Sequence, residues 1–190
     1  MKIAILGWGS LLWDNRPEFD RWHEPWQYDG PTLKLEFSRV SESRLNALTL
    51  VIDEVNGAPT CVAWCLSKRT NADDAVCDLR CREGTTLQNI GRIDVAQRAK
   101  PRDHAAVQDA IACWAGEKRL DVVVWTALES NFQQKTGGRF SVSAALRHLR
   151  GLTAEEKAMA AEYVRRAPHF VRTPLRTALE EEPWFSQASS

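Results

Sequence analysis

A chain of 190 residues suits a single domain and is long enough to bury a proper core. Its composition, 44% hydrophobic and 26% charged, excludes a disordered or low-complexity polypeptide. The 25 basic and 25 acidic side chains cancel, so overall charge gives no general pull toward nucleic acid or an anionic membrane.

No apolar run approaches the ~18 residues of a membrane-spanning helix. The amino terminus has one lysine and a short apolar stretch with no small-residue cleavage site, so no secretory signal is read there. Five cysteines, scattered and odd in number, fit a reducing compartment better than a disulfide framework. The expected location is the cytoplasm.

The chain opens with "KIAILGWGSLLWD", Lys2 to Asp14. Ile3 to Leu6 read as a buried strand that stops in a glycine corner, where Gly7 and Gly9 bare the backbone. Residues 14–30 read as a loop carrying Trp22, His23 and Trp26. "PTLKLEFSRV" alternates Leu33, Leu35 and Phe37 with Lys34 and Glu36, which is strand periodicity. "NALTLVID" and "APTCVAWCLS" are two further strands, and Asn56-Gly57 between them is the chain's strongest hairpin signal.

A helix starts after Asn71, with Asp73 and Asp74 in its first turn, and stops at Gly84. "IGRIDVAQR" reads as a strand, "RDHAAVQDAIACWAG" as a helix ending at Gly116, "LDVVVWTAL" as a buried strand and "QQKTGGRFS" as a loop. Helices follow over about 141–150, 153–166 and 172–181. The order of elements predicts an α+β domain spanning 1–180 with a mixed or barrel-like sheet, and a polar tail over 181–190.

The corner is none of the common glycine motifs. A dinucleotide fingerprint needs glycine where Leu12 stands, and a P-loop needs a Gly-Lys-Ser/Thr ending that is absent. A nucleophile elbow needs glycines where Trp8 and Leu12 flank Ser10. Cys61/Cys65 and Cys77/Cys81 form two C-x3-C pairs, but neither makes a zinc site by itself, and buried small hydrophobes are the plainer reading. Trp64, Trp114 and Trp125 read as core; Trp13, Trp22 and Trp26 lie near the corner and wall a pocket or form a satellite cluster. His23, His104, His148 and His169 show no metal spacing and read as surface or loop residues. Arg165, Arg166, Arg172 and Arg176 offer a phosphate-facing stretch, which the neighbouring "LEEEP" turns into a self-compensated surface.

Taken in order, "GWGSLLWD", the strand "ALTLV", the glycine turn into "CVAWCL" and the helix ending in "RE" resemble the γ-glutamylcyclotransferase superfamily over residues 2–130. "GSLLWD" is most similar to the branch that acts on glutathione. The resemblance implies a small closed mixed β-sheet, barrel-like and flanked by helices. It implies release of an amine, amino acid or peptide from a small γ-glutamyl compound, while the glutamyl part cyclises to 5-oxoproline. By this match Gly9, Ser10 and Leu11 hold the glutamyl portion through backbone amides, and Glu83 is the catalytic glutamate. Trp8 stands at the family's tyrosine position, and "GTTLQN" after Glu83 lacks the aromatic that often follows. No metal or organic cofactor is implied.

The chemistry accounts for both features. One carboxylate serves as base and then acid, and the bare backbone of Gly7–Ser10 serves as the substrate cradle. A rival reading keeps the same fold as a non-catalytic small-ligand binding or interaction module. An enzyme requires Glu83 buried beside Ser10, whereas a binding module tolerates it exposed or neutralised by Arg82.

Overall fold

The computed structural model describes residues 1–97 and 105–187. The fold is α+β, built from strands β1 (Ile3–Gly7), β2 (Thr32–Ser41), β3 (Ala47–Ile52), β4 (Ala58–Cys61), β5 (Ala63–Leu66), β6 (Ile90–Asp94) and β7 (Val122–Thr126). The helices are α1 (Pro17–Asp20), α2 (Ala72–Glu83), α3 (Ala105–Glu117), α4 (Phe132–Thr136), α5 (Val142–Arg150), α6 (Ala154–Arg166), α7 (Pro174–Glu180) and α8 (Pro183–Gln187). Among the described residues, no helix is long and apolar enough to cross a membrane.

The described strands form two open sheets, β5-β1-β7-β6 and β3-β2-β4, not the one closed sheet that the resemblance implies. The reason lies at Val62. The run "APTCVAWCLS" is not one strand: β4 pairs in the second sheet and β5 in the first. Val62 stands between them, donating to Pro31 O and accepting from Gly30 N. Pro59 cannot donate to a ladder, and β4 accordingly lies at a sheet edge. The hairpin expected at Asn56-Gly57 is also replaced. A tight turn forms there, with the Asp53 carboxylate accepting from the backbone N–H of Val55 and Asn56, yet β3 and β4 flank β2 and do not pair with each other. Gly57 lies so close to the Lys34–Leu35 backbone that a Cβ would sit 2.7 Å from Lys34 C.

The chain gathers into two compact units, Met1–Leu33 with Cys61–Leu128, and Lys34–Thr60 with the chain from Glu129 onward. In the first unit, β1 and β7 are parallel neighbours, with β5 and β6 antiparallel at the edges. Ile3, Ile5, Val122 and Val124 alternate onto one sheet face and meet Ala72, Ala75 and Leu79 of α2. Leu6 is the register partner of Trp64, and Trp64 stacks edge-on against Trp114 of α3 at 5.2 Å, so α3 covers the opposite face.

In the second unit, Phe37 of β2 meets Tyr163 of α6 edge-on at 6.2 Å, and α5 and α6 pack on β3. A capping box of Thr153 and Glu156 starts α6. The segment read as the loop "QQKTGGRFS" contains most of α4, a single turn closed by Gly137 at φ 78°. Residues after Glu181, read as polar tail, include α8 with Phe185 buried. "IGRIDVAQR" gives β6 and then a 3-10 turn over Val95–Gln97. His104 and the start of the helix expected over 102–116 lie outside the described residues.

Candidate functional site

The glycine corner is shaped by two different requirements. At Gly7 an added Cβ would stand 2.6 Å from the Trp26 ring, so the missing side chain is filled by an indole. Close packing against Trp26 therefore accounts for a glycine at this position. Gly9 has φ 64°, in the left-handed region that favours glycine. It opens a 3-10 turn, Gly9–Leu12, preceded by Trp8 in extended conformation. Trp8 and Leu11 are buried, which anchors the turn, while Ser10 stays partly exposed.

α2 delivers the second half of the site. Asn71 caps it by accepting from Asp73 N, Asp73 and Asp74 occupy its first turn, and Gly84 ends it at φ 59° with its N–H returned to the last turn. Its buried face runs Ala72, Ala75, Leu79, and one further turn places Glu83 on that same face. The Glu83 side chain is only 17% exposed.

Arg82 fastens the helix end to the corner. Its side chain is 4% exposed, and the guanidinium donates from Nη2 to Ser10 O at 3.1 Å and to Asp14 O at 2.7 Å. The same group lies 3.6 Å from the Asp14 carboxylate and 3.7 Å from Glu83 Oε1. Arg16 donates to Asp14 Oδ2 at 2.9 Å. That hydrogen bond, the Asp14 charge and, more weakly, the Glu83 charge hold the Arg16 guanidinium above its ordinary range. Two carboxylates and two guanidiniums thus gather around the 9–14 corner.

Trp8, Gly9, Ser10 and Leu11 are brought beside the end of α2 that carries Glu83. Both conditions set out for Glu83 are met in part, since it is largely buried and also faces Arg82. Arg82, however, is shared with two carbonyls and Asp14. Of the tryptophans near the corner, Trp26 lies against Gly7, whereas Trp22 carries Arg69 over its ring at 3.5 Å. His23, read as a loop residue, is buried between Phe19 and Trp26. Its Nδ1 lies 2.7 Å from Glu24 O and so carries the proton, leaving Nε2 facing Asp20 at 3.5 Å.

Arg82, Asp14 and Arg16 escape a reading by motif. Arg82 looks like a surface charge in an arginine-rich helix end, and only the tertiary contact across 72 residues reveals its role. Cys61 is exposed and Cys65 buried, so the strand pair points apart, and Cys77 and Cys81 are both exposed, which corrects their reading as buried hydrophobes. Among the described residues, no three His, Cys, Asp or Glu side chains group as metal ligands. Compared with models of protein families, with curated proteins and with solved structures, the chain matches none, and the geometry of this corner carries the functional reading.

Proposed function

We propose that this chain is a γ-glutamylcyclotransferase-type enzyme with a γ-glutamylcyclotransferase-like fold, releasing an amine, amino acid or peptide from a γ-glutamyl compound as 5-oxoproline forms. The observation that carries this reading is the Arg82 clamp, which holds the end of α2 with Glu83 against Ser10 and Asp14. A base and a backbone corner from distant parts of the chain are thereby fixed side by side.

The reaction is intramolecular. The substrate's α-ammonium gives a proton to the Glu83 carboxylate, and the freed amine attacks its own γ-carbonyl carbon. A new C–N bond closes the five-membered ring, and the carbonyl oxygen carries negative charge until the bond to the leaving nitrogen breaks. The ring nitrogen sheds a second proton as it becomes the lactam N–H. Glu83 passes protons to the leaving nitrogen, which departs as an ammonium, so the same carboxylate is base and then acid. Folding the substrate into the ring-closing geometry is a proximity effect worth up to about 7–11 kcal/mol. The Gly9–Leu11 backbone supplies donors for the glutamyl portion with no side chain at Gly9 in the way. Trp8 gives the corner an apolar wall.

The guanidinium 3.7 Å from Glu83 favours a second reading, in which the same fold binds a small ligand without turning it over. One assay separates the two: 5-oxoproline release from glutathione, γ-glutamyl dipeptides and γ-glutamyl amines, with Glu83→Gln beside the wild type. The enzyme releases 5-oxoproline from at least one of these, and the variant is slower by about 10²–10⁴-fold. Release that survives in Glu83→Gln removes Glu83 from the chemistry, and no release from any compound leaves the binding module.

A further inference from the structure

Thr126 is the last residue of β7, is 8% exposed, and its hydroxyl oxygen is buried with no hydrogen-bond partner among the described residues. An unpaired buried hydroxyl costs stability, and the fold retains one at a strand end.

Its position follows from register. Ile5 is level with Val124 across the parallel pair β1/β7, so two residues further on Gly7 comes level with Thr126. Ile3, Ile5, Val122 and Val124 face α2, and by alternation Thr126 faces that side as well. On α2 the facing row passes Leu79 and ends at Glu83. Six residues, Gly84 to Asn89, then lead from Glu83 to Ile90, which is the register partner of Thr126. Asn89 O also accepts from Ala127 N at 2.8 Å, tying that connection to the end of β7. The carboxyl ends of adjacent parallel strands are where open sheets receive ligands.

Glu83 and Thr126 therefore stand on facing surfaces at one end of the sheet, and both present oxygen. The Thr126 hydroxyl, which takes no hydrogen bond among the described residues, standing across from a carboxylate that faces Arg82, calls for a ligand that brings N–H groups. We infer that Thr126 is a ligand-binding residue that accepts a hydrogen bond from the α-amine of an amino-acid-like ligand and holds it toward Glu83. The inference rests on the proposed function for the reaction that follows, but the amine recognition is testable without turnover.

The probes are L-glutamate and glutarate, which share two carboxylates and differ by the amine. In thermal-shift titrations the wild type is stabilised by L-glutamate and at least tenfold less sensitively by glutarate. Thr126→Val, which keeps the shape, loses that discrimination while its ligand-free Tm stays level or rises by about 2–4 °C, because an unpaired hydroxyl is gone. Thr126→Ser retains the discrimination within about threefold. A wild type that does not distinguish the probes overturns the inference, as does a Thr126→Val protein that still does. A fall in the ligand-free Tm of Thr126→Val that Thr126→Ser does not share assigns the hydroxyl to structure and overturns it too. Discrimination without 5-oxoproline release from the substrate panel keeps this inference and defeats the cyclisation reading. Release that Thr126→Val leaves unchanged in KM and kcat does the reverse.

Discussion

Arg82 shows how one side chain ties a helix end to a distant corner of the chain. Its side chain is almost wholly buried, and burial of a charge is tolerable only where polar partners replace water. Here the partners are the carbonyls of Ser10 and Asp14 and, slightly farther off, the Asp14 carboxylate. Arg82→Met keeps much of the length and removes the donors. Hydrogen bonds to charged groups are worth about 1.5–3 kcal/mol each, and leaving two carbonyls unserved predicts a loss of about 2–4 kcal/mol in urea unfolding. Under the proposed function the clamp also aligns Glu83, so the same variant is expected to lose 5-oxoproline release beyond what its stability explains at a temperature where it is folded. A loss below about 0.5 kcal/mol would show that water replaces the clamp. At this scale the sequence was half legible. The corner and Glu83 stand out in the sequence through the motif order that carries the resemblance, and the two glycines stand out as bare backbone. Why each glycine is there does not, since Gly7 answers to Trp26, nineteen positions away in the chain, and Gly9 to its own φ of 64°.

Elements defined by their own ends were read closely, and elements defined by distant partners were not. α2, α5 and α6 each start at a side-chain cap, Asn71, Ser141 and Thr153, and those signals are local. The division of "APTCVAWCLS" between two sheets depends on which strand waits beside each half, and no local pattern encodes that. Glu36 illustrates the same limit. Alternation marks it as a polar position on β2, yet it is fully buried, because its carboxylate accepts from Phe37 N at 2.7 Å and from Leu175 N at 3.3 Å in the first turn of α7. Burial pushes this carboxyl above the ordinary glutamate range, with the nearby Asp53 charge adding, against hydrogen bonds from Thr173, Phe37 and Leu175 that pull it back. The folded chain therefore holds the proton more tightly than the unfolded one. The resulting stability is fully present below the ordinary glutamate pKa and is lost as pH rises through the folded value. Glu36→Gln cannot ionise, so its Tm relative to wild type climbs as pH is raised from about 4 to 7. A difference that stays constant over that range would mean that Glu36 titrates alike in both states.

For the whole molecule, the division of the chain sets what a piece of it can do. The motifs that carry the resemblance lie within residues 2–130, and the Arg82 clamp, Glu83 and Thr126 all belong to the first unit. That makes residues 1–128 an inviting minimal fragment for testing the proposed activity, but the segment Lys34–Thr60 belongs to the second unit. It supplies β3 and most of β2, whose Leu35, Phe37, Leu48 and Leu50 are buried. α5 and α6, which pack on β3, lie beyond residue 128. Cutting the chain there strips the apolar side of that sheet, and burial of large aliphatic and aromatic side chains is worth about 1.5–3 kcal/mol each. Against a typical net stability of about 5–15 kcal/mol, four such side chains are enough to decide folding. The fragment 1–128 is therefore expected to bind an apolar fluorophore strongly and to lose the sharp thermal transition of the full chain. Replacing Lys34–Thr60 in it by a short Gly/Ser linker removes the uncovered sheet, lowers fluorophore binding and leaves the whole candidate site in the chain. A sharp transition from the unmodified fragment would show that the hairpin of β2 and β3 needs no helices to cover it.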